Sequence, residues 1–549
     1  MYLLPTLLSL SSLAKALNPK TILDKNGISL WEKIEEMERQ LLQPATLVSL
    51  VSPCSTNFGA SPFQGQQTSA EWVRLVFHDC ITKNIEGPGL GGLDASIGFE
   101  SGRPENVGIF IDVSIGQFDQ FTSVYLSMAD LIGVGLADSL ATCAPSSRRL
   151  ALRVGRVDAT RAGPFGVPGP ADSLDFATAA FQRAGFSKTE MIQAVACGHS
   201  IGGVHGSDFK GIGAEGTEEN ESGRIPFDTT PGIFDANNIN EYLNITGSKG
   251  GPLVTANETF NSDFRIFNSD HNATVAAMRT PSTFENTCFN IFDKMMNTVP
   301  DAVTLSDPFQ VRPFIMRQSS LDLTSTGILV FNGTISAHAP SPPDTVSYTY
   351  VKTTGSNLGE KVTDIGVELP GFFDSRPPIP PQEPVYIGFN TIKDYKFADI
   401  IGSEPVKSLI ITSPGATYTG DINTNIFILP SQSHRQLHQD GIGSWMVRVA
   451  IHNTLTPPPA PPTVTAYYPT PQDGSKASMV VSATAPLSFE TNLGNYKIYK
   501  ASSFTGDFPA ARVGSLAVFK VSAGPTLVAT KLSTSDFANT CSAVDISAC

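Results

Sequence analysis

The sequence changes character near residue 305, and this change limits the possible folds more than any other feature. Before that point, helix-like segments alternate with glycine- and proline-rich loops. From Gly327 onward, short runs rich in Val, Ile, Thr and Tyr are separated by turn residues, at a spacing typical of β-sandwiches. The sequence therefore predicts a mainly α domain over residues 17–308, followed by a β-rich, sandwich-like domain of two packed sheets over residues 309–549.

Three proline-rich pieces interrupt the β-rich region, at residues 340–343, 377–384 and 457–462. Proline-rich segments are extended and semi-rigid, so these pieces are interpreted as stiff connections or edge loops. A second interpretation is that they divide the region in two.

The first 16 residues have the pattern of a removed secretory signal peptide. An apolar stretch is followed by Ala14-Lys15-Ala16, a small-x-small cleavage pattern. No other stretch reaches the roughly 18 continuous apolar residues that a membrane-spanning helix needs. We therefore expect a secreted, extracellular protein that does not enter the membrane.

The net charge of −14 argues against a general electrostatic affinity for nucleic acid or for anionic lipid. A secreted chain also passes through the compartment where glycans are attached. Five Asn-x-Ser/Thr sequons are candidate glycosylation sites on exposed loops, at Asn220, Asn244, Asn257, Asn272 and Asn332.

The first candidate functional helix follows Thr68-Ser69-Ala70-Glu71, which has the pattern of a capping box. Within it, Arg74, Phe77 and His78 fall at i, i+3 and i+4 and share one face. An unpaired charge costs several kcal/mol in an apolar site, so a buried Arg beside a His indicates that the two side chains have a function. The alternative is a solvent-facing Arg and a core His.

The second candidate helix opens with another capping-box pattern, Ser187-Lys188-Thr189-Glu190. His199 ends an apolar stripe of small residues, which leaves room for a flat ligand; the alternative is a packed core histidine. A zinc site from His199 and His205 is disfavoured, because Gly202 and Gly203 end the helix before the pair can share a face.

Several short motifs occur in a fixed order along the chain: RLVFHD, GLDAS, Glu100-x5-Asn106, GHS, FDTTPGIFD and Ser269-Asp270. Together they resemble the class II, fungal secretory haem peroxidases of the plant peroxidase superfamily, over roughly residues 50–305. The resemblance implies one haem b and an enzyme that reduces hydrogen peroxide to water. It also implies one-electron oxidation of small phenolic-type donors at the haem edge.

On the distal side of the haem, the resemblance implies that His78 is the acid–base group that moves a proton between the two peroxide oxygens. Arg74 would stabilise the negative charge that develops as the O–O bond breaks. Asn106, steadied by Glu100, would accept a hydrogen bond from His78 and fix its tautomer.

On the proximal side, the resemblance implies that His199 binds the haem iron and that Asp270 accepts its Nδ1 proton. Phe77 and Phe227 occupy positions that hold tryptophans in the cytochrome c peroxidase branch. A tryptophan radical beside the haem is therefore not expected.

The same resemblance implies two calcium ions, bound by hard oxygen ligands next to the two histidines. The distal ion would be bound by Asp79, Gly92, Asp94 and Ser96. The proximal ion would be bound by Ser200, Asp228, Thr230, Ile233 and Asp235.

The chain departs from two specialised relatives of this family. Lignin peroxidases carry a surface tryptophan five residues before the proximal histidine, where this chain has Ala194. Manganese peroxidases use three acidic groups, where this chain has Gln67, Glu71 and His205. One carboxylate of three should hold Mn²⁺ poorly, so neither direct lignin oxidation nor Mn²⁺ oxidation is expected.

Seven cysteines suit an oxidising compartment. The resemblance implies a disulfide between Cys54 and Cys143, and Cys541 with Cys549 is expected to close the C-terminal tail. Cys197 is interpreted as a small packing residue. At most one further pair can form among three cysteines whose pairing stays open: Cys80, Cys197 and Cys288.

A different class of function is a haem-inactive adhesion or cell-wall-binding protein that uses the β-rich region. A catalase is disfavoured, because catalases use a tyrosine as the iron ligand. A monomer is expected, and the motifs assign no role to residues 309–549. The feature that favours catalysis is the intact set of five functional residues: Arg74, His78, Asn106, His199 and Asp270.

Overall fold

The computed structural model describes most of the chain. The described residues are 18–41, 47–55, 65–87, 91–146, 148–212, 223–309, 312, 314–339, 343–363, 366–369, 391–413, 416–437, 442–455, 461–501, 504–507, 517–523, 526–529 and 539–540.

Helices dominate the N-terminal part of the described chain. They are α1 (Leu30–Leu41), α2 (Val48–Val51), α3 (Thr68–Cys80), α4 (Phe110–Asp119), α5 (Met128–Cys143), α6 (Leu174–Arg183), α7 (Lys188–Gly198), α8 (Asn237–Asn244), α9 (Pro252–Thr255), α10 (Ser262–Phe267), α11 (Ala273–Ala277) and α12 (Pro281–Asn297), with short 3₁₀ helices at Ser96–Phe99 and Asn268–Asp270.

One continuous apolar core holds these helices together. Helix α5 is buried along nearly its whole length, as expected of a helix that is apolar on every side. It packs on α3, whose Trp72 ring lies 4.7 Å from that of Phe118 in α4. Helix α3 therefore lies inside the helical domain and packs against both α4 and α5.

The two predicted capping boxes have different outcomes. The box at the start of α7 is confirmed, with Ser187 and Glu190 bonded reciprocally. The box at α3 is wrong: the helix begins at Thr68, its N-cap is Gln67, and no side chain caps it. The Glu71 side chain instead lines an internal cavity with Arg74 and Arg224, whose positive charges interact with its carboxylate.

Strands follow from Phe314 onward, after a small two-stranded sheet within the helical part. The strands are β1 (Gly203–His205), β2 (Arg224–Pro226), β3 (Phe314–Leu323), β4 (Leu329–Ala339), β5 (Val346–Lys352), β6 (Lys361–Thr363), β7 (Gly366–Leu369), β8 (Thr391–Gly402), β9 (Val406–Ser413), β10 (Ala416–Asp421), β11 (Ile426–Ile428), β12 (His434–Leu437), β13 (Ile442–Met446), β14 (Arg448–His452), β15 (Thr463–Thr470), β16 (Met479–Leu493), β17 (Tyr496–Ala501), β18 (Phe504–Asp507), β19 (Val518–Ala523), β20 (Thr526–Ala529) and β21 (Asn539–Thr540).

The β-rich character of the C-terminal region is confirmed, but two sheets are too few. Its described strands form four sheets, in the orders β10-β9-β5-β6, β3-β4-β8-β7, β11-β14-β17-β16-β15-β19-β20 and β18-β13-β12-β21. The two smaller sheets near the start enclose one core with part of the seven-stranded sheet. The other face of the large sheet packs with Trp445 of β13 into a second core. The proline-rich pieces lie largely outside the described residues.

The structure contains the expected disulfide between Cys54 and Cys143. It also contains a second bond, between Cys197 and Cys288, so the interpretation of Cys197 as a packing residue is wrong. Helices α7 and α12 are neighbours, and this brings the two sulfurs together. Cys80 is free and buried, while Cys541 and Cys549 lie outside the described residues.

The signal-peptide segment and Asn220 also lie outside the described residues. Among the other sequons, Asn244 and Asn257 are exposed. Asn272 is half-buried, and so is Asn332, which lies within strand β4 rather than in the expected loop. Within the described part of the chain, no helix is both long and apolar enough to cross a membrane.

Replacing Cys288 by Ser is expected to lower the free energy of unfolding by about 4 kcal/mol, because the bond to Cys197 joins residues 91 positions apart. Chemical denaturation without reductant measures the effect. Cys80→Ala is the matched control, since it removes a buried sulfur but no cross-link. An equal loss of stability in both variants would contradict this assignment.

Candidate active site

Helices α3 and α7 present two histidines to one cavity of about 750 Å³. His78 lies near the end of α3, and His199 caps the C-terminus of α7. The cavity volume lies in the range of sites that enclose a small ligand or a cofactor. The helices thus bring together the two histidines that the sequence singles out.

A chain of two hydrogen bonds fixes the orientation of His78. Its Nδ1 lies 2.7 Å from Oδ1 of Asn106, and Nδ2 of Asn106 donates to the backbone carbonyl of Glu100 at 3.1 Å. Because the amide oxygen only accepts, Nδ1 of His78 carries the proton and Nε2 is free to accept one. Glu100 steadies Asn106 through its backbone, while its carboxylate accepts from the N–H of Gly163.

Burial and the nearby charge of Arg74 together keep His78 neutral. Burial has the larger effect, and the two lower the pKa of the imidazole to about 3, against the opposing hydrogen bond to Asn106. A neutral imidazole with an unprotonated Nε2 can act as a base.

Arg74 lies one helical turn before His78 and points its guanidinium at the same space. Its Nε is 3.4 Å from Nε2 of His78, and its Nη2 donates to the carbonyl of Val107 at 2.8 Å. The guanidinium carbon lies 3.9 Å from the ring centre of Phe110, which also contacts His78. A fixed cation therefore stands beside the unprotonated Nε2 of His78 and donates a long hydrogen bond to it.

On the opposite wall, Nδ1 of His199 lies 2.7 Å from a carboxylate oxygen of Asp263 in α10. The carboxylate accepts, so Nδ1 is the donor and Nε2 has a free lone pair. Phe227 stacks on the imidazole at 4.4 Å between ring centres, with 10° between the planes. Nδ2 of Asn238 donates to the carbonyl of His199 at 3.1 Å, which fixes the end of α7.

The expectation that Asp270 bonds His199 is wrong. Its carboxylate accepts instead from the backbone N–H and the hydroxyl of Thr274, at 3.0 and 2.5 Å, at the start of α11. The sequence Phe-Asn-Ser-Asp occurs twice, at residues 260–263 and 267–270, and Asp263 belongs to the earlier copy. Only Asp263 lies in the first turn of a helix that lines the cavity.

Four charged or polar groups surround the mouth of the cavity: Glu71, His205, Asp208 and Arg224. Burial, partly offset by Arg74, raises the pKa of Glu71 to about 7. Burial and the neighbouring cations lower the pKa of His205 to about 4. No sequence motif points to Asp208 or Arg224 as part of this site. Arg224 comes to lie opposite His205 only through the antiparallel pairing of β1 with β2.

The lining of the cavity fits a haem. Phe77, Phe181 and Phe292 line it with apolar surface, as a flat macrocycle requires, and Lys210 and Arg224 add cationic groups that suit propionates. The free Nε2 of His199 is the donor atom that haem iron takes from a proximal histidine.

The distal calcium set places two carboxylates close together in the protein interior. Asp79 accepts from the N–H groups of Asp94 and Ala95, at 3.0 and 2.8 Å, and from that of Ile97 at 3.0 Å. Burial and the charge of Asp94 raise the pKa of Asp79 well above its usual value. Asp94 in turn accepts from the N–H of Ser96 at 3.0 Å.

The proximal set contains a buried carboxylate oxygen without a hydrogen-bond partner, Oδ2 of Asp228. Burial raises the pKa of Asp228 to about 7, and Asp235 adds to the effect. Thr230 lies between the two carboxylates, with its hydroxyl 3.4 Å from Asp228 and 3.3 Å from Asp235. This oxygen set fits a hard cation.

Within the described residues, no group of three or more His, Cys, Asp and Glu side chains is placed to hold a metal ion. A cation at either set would therefore depend on two carboxylates with hydroxyl and carbonyl oxygens, which calcium accepts as ligands.

Comparison with known proteins agrees with this geometry. Residues 56–320 match the peroxidase family. The matched stretch includes helices α3 to α12, so this part of the chain is similar to the peroxidase family, and the β-rich region follows it.

Three relatives illustrate the similarity. A WSC domain-containing protein of Arthroderma benhamiae is 36% identical over 342 residues, which are 59% of this chain and 45% of the relative. Putative L-ascorbate peroxidase 6 of Arabidopsis thaliana is 32% identical over 147 residues, 26% of this chain and 41% of the relative. Ligninase LG2 of Phanerodontia chrysosporium is 31% identical over 192 residues, 32% of this chain and 48% of the relative.

The chain thus spans less than half the length of each of these relatives.

Asp263→Asn is expected to slow the reaction of the haem-loaded protein with peroxide by about 10- to 100-fold, because an amide draws the Nδ1 proton of His199 less strongly than a carboxylate. The iron–histidine stretching frequency should fall with it. Asp270→Asn is the matched control and should leave both unchanged, because Asp270 bonds Thr274 and not His199. A larger kinetic effect of Asp270→Asn would contradict the assignment.

Proposed function

We propose that this protein is a secreted haem peroxidase that reduces hydrogen peroxide and oxidises small phenolic-type donors in one-electron steps. The observation that carries the proposal is the pair of opposed histidines, each oriented by an acceptor at Nδ1. The balanced reaction takes one H₂O₂ and two donors bearing a transferable hydrogen, and yields two waters and two donor radicals.

When bound, haem supplies the redox centre that receives the oxidising equivalents of the peroxide. Nε2 of His78 accepts the proton from the inner peroxide oxygen and returns it to the outer one, so that water leaves rather than hydroxide. The guanidinium of Arg74 stabilises the negative charge on the departing oxygen. Asn106 keeps the imidazole in the tautomer that this transfer requires.

Small aromatic donors fit the mouth of the cavity. Phe165 and Phe176 line it and are 65% and 43% exposed, so their rings are accessible for contact with a phenol. Arg74 and Arg224 lie beside Glu71, and their positive charges oppose the binding of a divalent cation there. This supports a phenolic donor over Mn²⁺.

The remaining parts of the proposal follow from the family resemblance and the sequence. One haem b and two calcium ions would be bound per chain. The peroxidase domain would occupy residues 17–308 of a monomer, with the β-rich domain at residues 309–549. The signal segment and the sequons support secretion and glycosylation.

His78→Ala is expected to slow the peroxide step by about 10²- to 10⁴-fold, the usual contribution of a positioned acid–base group. Haem should still bind, because His199 is unchanged; stopped-flow mixing with peroxide and the Soret band measure the two properties. His205→Ala is the matched control in the same cavity wall and should change the rate little. Equal rates for wild type and His78→Ala would contradict the proposal.

The same measurement tests the alternative of a haem-inactive adhesion protein. A wild-type chain that takes up no haem under conditions that load other peroxidases would favour that alternative. The side chains around the cavity would then serve only as a scaffold, Arg74, His78, Asn106, His199 and Asp263 among them.

Asp228→Asn is expected to reduce the bound calcium from two ions to one per chain, because it removes one of the two carboxylates of the proximal set. Elemental analysis of desalted protein measures the content. Asp175→Asn, at an exposed position in the first turn of α6, should retain both ions. Retention of both ions by Asp228→Asn would show that the proximal set is assigned wrongly.

A further inference from the structure

A turn of the β-rich region reaches into the helical domain next to the distal side of the cavity. It comprises residues 471–478, between β15 and β16, and we call it the β15–β16 turn. The backbone N–H and the hydroxyl of Ser478 both donate to the carboxylate of Asp119, at 3.0 and 3.1 Å. Both side chains are buried, and Asp119 is the last residue of α4.

The same turn makes a second set of contacts, at the 3₁₀ helix Ser96–Phe99. The N–H of Lys476 donates to the carbonyl of Gly98 at 2.8 Å. A Cβ added at Gly98 would lie 2.8 Å from Oγ of Ser475, so the turn leaves little room for a side chain at position 98. Ala477 is buried in the core of the helical domain.

These two contacts lie at the two ends of one segment, residues 97–119, which supports His78. At one end, the N–H of Ile97 donates to Asp79, the neighbour of His78. In the middle, Asn106 accepts from His78. Nearer the other end, the ring of Phe110 lies 4.9 Å from the imidazole. The β15–β16 turn therefore touches the polypeptide on both sides of the group that orients the distal histidine.

Further contacts fix the turn relative to the helical domain. Nζ of Lys520 donates to the carbonyls of Asn26 and Gly27, at 3.0 and 2.8 Å. Tyr467 and Val518, on the neighbouring strands β15 and β19, are buried in the helical core. Since a buried contact of this kind resists displacement, the sheet can hold the turn in place.

We propose that the β15–β16 turn is a positioning element of the distal site, which holds both ends of segment 97–119 and thereby keeps Asn106 on His78. The C-terminal region is then a structural part of the peroxidase and not an independent appendage. Its kinetic consequence rests on the proposed function, whereas its effect on segment 97–119 does not.

The test uses the full chain and two variants that weaken the contact from opposite sides, together with their double variant. Ser478→Ala removes the hydroxyl donor and keeps the backbone N–H, whereas Asp119→Ala removes the acceptor of both bonds. Each should increase hydrogen–deuterium exchange in segment 97–119. In haem-loaded protein, each should slow the peroxide step by about 3- to 10-fold, as small misplacements do, and leave the donor step unchanged. The double variant should be no slower than Asp119→Ala, because that substitution already removes the acceptor of the Ser478 hydroxyl.

Thr484→Ala is the matched control. It removes the exposed hydrogen bond to Thr465 in the same pair of strands, away from the helical domain, and should change neither property. Unchanged exchange in segment 97–119 in folded Ser478→Ala and Asp119→Ala would overturn the proposal, as would an equal effect of Thr484→Ala. If the wild type did not react with peroxide, the proposed function would fail, and the exchange measurement would still decide the role of the turn.

Discussion

The site depends on one constraint: each of two facing imidazoles must carry its proton on Nδ1, so that its Nε2 stays unprotonated. Asn106 satisfies this constraint for His78, and Asp263 does so for His199. The two acceptors differ in charge, and this sets the two histidines apart. A neutral amide fixes the tautomer of His78 without adding a charge, whereas a carboxylate increases the electron density on His199.

Holding these groups in place requires burial of several charges, which is costly unless they have partners. Arg74 bonds a backbone carbonyl and lies over an aromatic ring. Asp79 accepts three backbone N–H groups, while Oδ2 of Asp228 has no partner. Asp79 follows His78 in α3, and Asp228 follows Phe227, which stacks on His199. A bound cation would therefore stabilise the same elements that position the two histidines.

Local patterns predicted the parts of this fold that local chemistry determines. The capping box at Ser187 and the strand-rich region were predicted correctly, since each follows from neighbouring residues in the chain. The cap at α3 was not, because Glu71 interacts with Arg74 and Arg224 across the cavity. Periodicity indicated strands but not their assignment to four sheets, which depends on pairings between distant segments.

The two wrong predictions near the site, for Asp270 and for Cys197, also depend on contacts between distant segments. Asp263 and Asp270 each follow a serine, and only the packing of α10 against α7 decides which one reaches His199. The bond between Cys197 and Cys288 likewise depends on α12 lying beside α7. Sequence motifs identified the two histidines, whereas the tertiary structure selected the partners of His199 and Cys197.

The proposed function requires His199 to be the protein ligand of a haem in this cavity. Its most direct test is the absorption spectrum of haem-loaded His199→Gly, with and without added imidazole. If His199 is that ligand, the variant should lose the histidine-ligated spectrum, and imidazole should restore it by occupying the vacated space. A His199→Gly spectrum identical to that of the wild type, unaffected by imidazole, would contradict this assignment.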